Sequence, residues 1–248
     1  MRPPFRPATA WLLTLAATLL LTPIASAAEK PNILFIAIDD LNDWVTPLSG
    51  HPQVKTPHMD RIARRGVTFT NAHCQSPLCN PSRTSLMSGL RPTTTGVYAL
   101  QPWLRTVEGF EDWVMLPQYF EQHGYVTMST GKVYHDAYPP AEDRRDGPEF
   151  TRWGFKGGFH PRPDRPIVPD ATHALVDWGV FPDRDEQQDD YQVASWAVEQ
   201  LENPPEDKPF FLAMGIRHPH VPLYATQQWF DLYPPDTLFT PPVLPGDP

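Results

Sequence analysis

The chain has 248 residues, with 20 Lys and Arg against 29 Asp and Glu, for a formal net charge of −9 at neutral pH. That balance argues against nucleic acid as a partner, because phosphate backbones are bound by a basic face. An acidic protein can still hold a small anion where a few Lys, Arg and His side chains converge. A hydrophobic content of 40% with 12% aromatic residues is globular and supports one sizeable core; only the 32 prolines are unusual.

In chain order, the first element is a leader. Arg2 and Arg6 give a positive start, residues 10–21 an apolar core, and Ala25-Ser26-Ala27 a small-residue cleavage site. Together these make the pattern of a secretory signal peptide over residues 1–27, leaving a mature domain at 28–248. A membrane anchor is the competing reading, but the apolar run is shorter than the roughly 20 residues a spanning helix needs, and no second run follows. The expectation is therefore an exported chain, periplasmic or secreted, with no anchor.

Residues 32–38 are a continuous apolar run, which predicts a buried strand of a mostly parallel sheet. The run ends in Asp39-Asp40. Ligands of open α/β sheets bind beyond the carboxyl ends of strands, so this pair is either a set of hard oxygen ligands for a divalent cation or a solvated turn. Residues 57–66, with Met59, Ile62 and Ala63 at helical spacing, predict a first crossover helix stopped by Gly66. Residues 67–72 read as a short β-type run.

Two cysteines follow, Cys74 and Cys79, and in an oxidising compartment they could close a very short disulfide loop. Asn80 is a good N-cap, Pro81 suits the first helical position, and Gly89 with Pro92 beyond it supplies a stop, so residues 81–88 predict a short helix. Cys79 then sits at the helix mouth, where free N–H groups and the positive dipole end stabilise anions. Arg83, one turn in, can aim a fixed charge at the same spot. On helix signals alone, Cys79 reads first as a small buried residue before a capped helix.

The string Cys79-x-Pro81-Ser82-Arg83, followed by Leu86-Met87-Ser88-Gly89 and Leu90-Arg91-Pro92, resembles the signature of the type I sulfatases. In that family a modifying enzyme oxidises the cysteine to formylglycine, an aldehyde whose hydrate is the nucleophile, and paired aspartates after the first strand bind calcium. The resemblance implies that Cys79 stays out of any disulfide and that Cys74 is an unpaired small core residue.

Residues 116–124 predict a helix closed by Gly124, and 125–130 a strand that leads into Gly131-Lys132-Val133-Tyr134-His135. A Lys and a His three apart after a strand end can converge on one anion, the ammonium neutralising it and the imidazole moving protons near neutral pH. As an isolated pair they are more often plain loop residues. The string is similar to that of the iduronate-2-sulfatases within the family, which implies that Lys132 binds sulfate and that His135 stands beside residue 79.

Residues 139–170 are rich in Pro, Gly, Asp and Arg and predict an insertion without regular structure, of a kind that shapes the substrate rim in this family. Within it Arg144-Arg145, flanked by Glu142, Asp143 and Asp146, reads as a solvated mixed-charge loop. From 189 to 201, Val193, Trp196, Ala197 and Leu201 share one helical face, predicting an outer helix. Residues 210–216 predict a second buried strand, ending in Arg217-His218-Pro219-His220-Val221-Pro222. His-Pro-His alone is a weak signal. The resemblance to the Pro-His-x-Pro of iduronate-2-sulfatases selects His220 over His218 as the sulfate contact.

The resemblance runs from about Asn32 to the end of the chain. It implies an α/β fold, an alkaline-phosphatase-like α/β/α sandwich with a mostly parallel central sheet, and a sulfuric ester hydrolase acting on a sulfated sugar. It further implies Ca²⁺ held by Asp39, Asp40 and the modified Cys79, and charge dispersal by Arg83, Lys132 and His220. His135 would take the proton that releases sulfate, and a formylglycine-generating enzyme would be a partner. Two other readings share these residues: a phosphonate or phosphodiester hydrolase on the same fold, and a non-catalytic domain that binds sulfated glycans. Family members complete the metal site with an Asp followed by His or Asn, then a Lys, further downstream. The downstream aspartates here, Asp231, Asp236 and Asp247, are followed by Leu, Thr and Pro. The expectation is a chain truncated at its C-terminus that leaves a sheet edge and an apolar face uncovered, binds calcium weakly and turns over little ester by itself.

Overall fold

Two apolar runs make the centre of the sheet. The first is β1 (Ile33–Ile38) and the second, near the other end of the chain, is β5 (Phe210–Ile216). Between them come α1 (Pro57–Ala63), α2 (Cys79–Ser88), α3 (Pro92–Thr95), α4 (Leu116–Gln122), β2 (Val126–Gly131), β3 (Arg152–Trp153), β4 (Trp178–Val180) and α5 (Asp189–Glu202). β6 (Leu223–Ala225) and α6 (Gln227–Phe230) follow. This computed structural model describes residues 30–136, 138–141, 147–169, 173, 175–239 and 246. It divides the chain into Met1–Pro31 and Asn32–Pro248, and the fold is that of the second unit. The expected leader, the Arg144-Arg145 segment and Asp247 lie outside the described residues.

The main sheet has the order β1-β5-β2-β3 and is parallel throughout, while β4 and β6 form a separate parallel pair. Alternation along β5 sends its side chains to two cores. Phe211 and Ala213 join Met87 of α2, Trp103, Leu104 and Met115 on one face, with Leu116 and Phe120 of α4 packed against them. Phe210 and Leu212 join Met128 and Ala197 of α5 on the other. Helices thus cover both faces, the α/β/α arrangement that buried parallel strands require. β1 is an edge strand; its Ile33 and Phe35 pack into the first core, but Leu34 and Ile36 on the opposite face are 44% and 41% exposed.

Register decides what the sheet presents at its rim. Ile38 pairs with Ile216 and Gly131 with Gly215, so β1, β5 and β2 end level with one another. Asp39, Lys132 and Arg217 therefore leave the sheet side by side, with Asp39 N–H donating to the Ile216 carbonyl at 2.9 Å and Lys132 N–H to the Gly215 carbonyl at 2.8 Å.

Four local expectations are corrected. Residues 67–72 form no strand: Val67 and Phe69 are 81% and 77% exposed, and β-branched residues make a strand only where a neighbour completes the ladder. The helix begins at Cys79, after an extended Leu78, and Asn80 is not its cap. The Asn80 amide is buried instead, donating to the Ala99 and Pro102 carbonyls at 3.1 and 3.0 Å while its oxygen accepts from Thr84. The 139–170 insertion is not wholly irregular, since β3 pairs with β2, a two-residue strand being too short to show alternation. Cys74 is exposed rather than in the core, because the coil that carries it lies on the surface.

Candidate active site

Asp39 is buried, and each of its oxygens meets a buried cation. Arg83 Nη2 donates to Oδ1 at 2.7 Å and Lys132 Nζ donates to Oδ2. Burial works to raise the Asp39 carboxyl, but the charges and hydrogen bonds of Arg83 and Lys132 outweigh it and hold the group below its ordinary value. Arg83 also donates through Nη1 to the Lys132 and Val133 carbonyls, so one guanidinium fixes both the carboxylate and the turn after β2. That turn is tight because Gly131 (φ 71) and Gly215 face each other with no room for a Cβ on either.

Cys79 occupies the first turn of α2, and its Sγ lies 3.6 Å from Lys132 Nζ. The far end of α2 is closed by Gly89 in the left-handed conformation and by Trp113, whose indole N–H donates to the Ser88 carbonyl at 3.0 Å. A cavity of about 700 Å³ opens over this helix start, with Asp39, Asp40, Cys74, Cys79, Arg83 and His220 on its wall. Both cysteines are free thiols.

The turn after β5 is held by the start of α5. Asp190 accepts from the Arg217 and His218 backbone N–H groups at 2.8 and 2.9 Å and from His218 Nδ1 at 2.7 Å. Burial would raise the Asp190 carboxyl, but the His218 imidazole and these N–H donors keep it below its ordinary value. His218 is thereby committed to α5, while His220 reaches the cavity. His220 Nδ1 is 2.7 Å from the Val221 carbonyl, an acceptor, so Nδ1 carries a proton and Nε2 is left facing Asp40 Oδ2 at 3.8 Å.

Sequence reasoning missed Arg217. Its buried guanidinium pairs bidentately with Asp136, lies 4.2 Å from the Phe159 ring centre, and Phe159 in turn packs 5.3 Å from the His220 ring. Its place next to the His-Pro-His string was the available signal, but its partners are distant in sequence. His135 is not on the cavity wall. It sits beyond Lys132 with a buried Nδ1 that has no hydrogen-bond partner among the described residues. Burial holds its imidazole below the ordinary value, with the Lys132 and Arg83 charges adding to burial and Asp136 opposing it.

The family model described as Sulfatase matches residues 31–237. The chain belongs to the sulfatase family. A sulfatase of Formosa agariphila is 41% identical over 239 residues, which cover 90% of this chain and 46% of that one. The mouse iduronate 2-sulfatase is 32% identical, over 86% of this chain and 39% of its own length. Among solved structures, a 2-O GAG sulfatase superposes with a TM-score of 0.55 at 28% identity, over 77% of this chain and 36% of that one. The chain thus spans less than half the length of these sulfatases. No helix among the described residues is long and apolar enough to cross a membrane.

A calcium ion, which the sulfatase family implies, takes oxygen ligands, and Asp39 and Asp40 are the residues that would supply them. Asp40 stands on a left-handed backbone (φ 55) that turns the chain sharply after β1. Asp39 already accepts from Arg83 and Lys132, but a carboxylate has about four acceptor sites, so capacity remains. The donor chemistry fits. Among the described residues, however, the group whose ligand atoms lie within 4.8 Å of one another is Asp39, Cys79 and His220, not the expected Asp39, Asp40 and Cys79. The Asp40 side chain turns outward, 54% exposed.

Proposed function

We propose that the chain carries the sulfate-binding half of an exported sulfuric ester hydrolase, periplasmic or secreted, that acts on a sulfated sugar through a formylglycine made from Cys79. The observation that carries this reading is the meeting of Asp39, Cys79, Arg83, Lys132 and His220 at one rim of a parallel sheet, beneath a single cavity. The activities named for the iduronate 2-sulfatase and the 2-O GAG sulfatase support a sulfated sugar, and a uronate 2-sulfate is the specific candidate.

When present, the hydrated formylglycine supplies the attacking oxygen, and a calcium ion held by Asp39 and Asp40 supplies Lewis-acid polarisation of the sulfate. The protein's own residues do the rest. Lys132 and Arg83, braced on Asp39, neutralise charge that builds on the sulfate oxygens without having to reorganise. His220, its Nδ1 committed to Val221, presents Nε2 to the cavity and, when that nitrogen is protonated as well, donates its proton to the departing alcohol. The resemblance gives His135 the proton whose loss frees sulfate, a role that requires its imidazole to reach residue 79 from behind the cavity wall.

The test, made on a full-length enzyme that carries this chain, is turnover of an aryl sulfate beside the matching aryl phosphate, with residue 79 identified by peptide mapping. Sulfate ester hydrolysis is expected to exceed phosphate hydrolysis, to vanish in Cys79→Ala and to persist in Cys74→Ala. Faster phosphate turnover would instead favour a phosphonate or phosphodiester hydrolase. Equal loss in both cysteine variants, with the fold intact, would overturn the role given to Cys79, and an unmodified thiol from a host that has the modifying enzyme would favour a glycan-binding domain.

A further inference from the structure

We propose that while residue 79 remains a thiol, Asp39, Cys79 and His220 form a zinc site at the floor of the cavity. Their ligand atoms lie within 4.8 Å of one another. Zinc bonds of about 2.0–2.3 Å to N, O and S bring tetrahedral donors to roughly 3.3–3.8 Å apart, so side-chain rotations of about an ångström close the set. One sulfur, one nitrogen and one oxygen suit a borderline-soft ion. They do not suit calcium, which takes oxygen alone.

Each of the three donors has an orienting partner behind it, as metal ligands require. His220 Nδ1 is engaged by the Val221 carbonyl, which fixes the tautomer that leaves Nε2 free to ligate. Asp39 is held by Arg83 and Lys132, and Lys132 also lies 3.6 Å from the Cys79 sulfur. Two cations so near would repel a metal if the acids were fewer. Here Asp39, Asp40 and an ionised Cys79 outnumber Arg83 and Lys132 by one charge, and zinc binding displaces the thiol proton. Three protein ligands leave a fourth position open to the cavity, and Asp40 Oδ2 stands 3.8 Å from His220 Nε2 as a further donor.

This site concerns the thiol form and holds whether or not the protein hydrolyses sulfate esters. The experiment uses the chain made in a host without the formylglycine-generating enzyme, with the thiol verified by mass, titrated with Co²⁺ and then Zn²⁺. One ion per chain is expected, with a sulfur-to-cobalt charge-transfer band in the near ultraviolet, displacement of Co²⁺ by Zn²⁺ and none by excess Ca²⁺. Cys79→Ser and His220→Gln should each weaken binding by about 100-fold or more, and Cys74→Ser should not change it. Absence of the band, equal binding by a folded Cys79→Ser or His220→Gln chain, or loss of binding in Cys74→Ser would overturn the proposal. If His220→Gln proves unfolded by circular dichroism, the band and the near-isosteric Cys79→Ser decide alone.

Discussion

Asp39 and Asp136 are both carboxylates paired with buried cations, yet removing them has different consequences. Asp39→Ala leaves Arg83 and Lys132 buried with no countercharge, and a loss of about 3–5 kcal/mol is expected in urea denaturation. Asp136 is partly exposed; burial tends to raise its carboxyl, but the Arg217 guanidinium brings it down from 3.8 to about 2. Because its folded value lies below its unfolded one, the stabilisation is present above about pH 4 and is lost as pH falls towards 2. Water on the open side of the pair screens it, so the contribution at neutral pH is about 1 kcal/mol. Asp136→Asn should lower the neutral-pH urea midpoint and flatten the decline between pH 4 and pH 2. An unchanged acid limb would show that another group governs it.

At the scale of elements, the close approach of Gly131 to Gly215 is what lets β2 and β5 deliver Lys132 and Arg217 to one rim. Gly215→Ala puts a methyl group against the Lys132 backbone and should cost about 2 kcal/mol or more, read as a lower urea midpoint, whereas Gly89→Ala meets open space and only the strain of its φ of 73. β1, β5, α4 and α5 were legible in the sequence because local signals agree there: apolar runs of strand length, helical spacing of Val193 and Ala197, and Gly124 as a stop. Asp39, Lys132 and His220 were placed at one rim from strand ends and from the family resemblance. What local pattern could not show was decided by distant partners. Asn80 was drawn from capping by Ala99 and Pro102, β3 exists only because β2 is beside it, and Arg217 is defined by Asp136 and Phe159. Neither Lys132 nor His135 lines the cavity; they looked equivalent by spacing, but Lys132 reaches Asp39 and the Cys79 sulfur beneath it and His135 is carried behind.

In the whole molecule, β5 is paired on both sides and covered on both faces, whereas β1 is paired on one side and β3 is two residues long. Amide hydrogen exchange should therefore fall into tiers: β5 amides from Phe211 to Met214 exchanging only through global unfolding, and solvent-side β1 amides exchanging through local opening. Uniform protection of β1 would mean that its edge is covered in solution. The hierarchy has a temporal consequence for the site. Arg217 and His220 follow the last structure to open, Asp39 follows the first, and Cys79 rides on a helix outside the ladder. Brief openings of β1 would thus release the carboxylate from between its two cations while both histidines of the β5 turn stay in place. The lifetime of the assembled charge cluster would then be set by the dwell time of an edge strand rather than by the half-life of the fold.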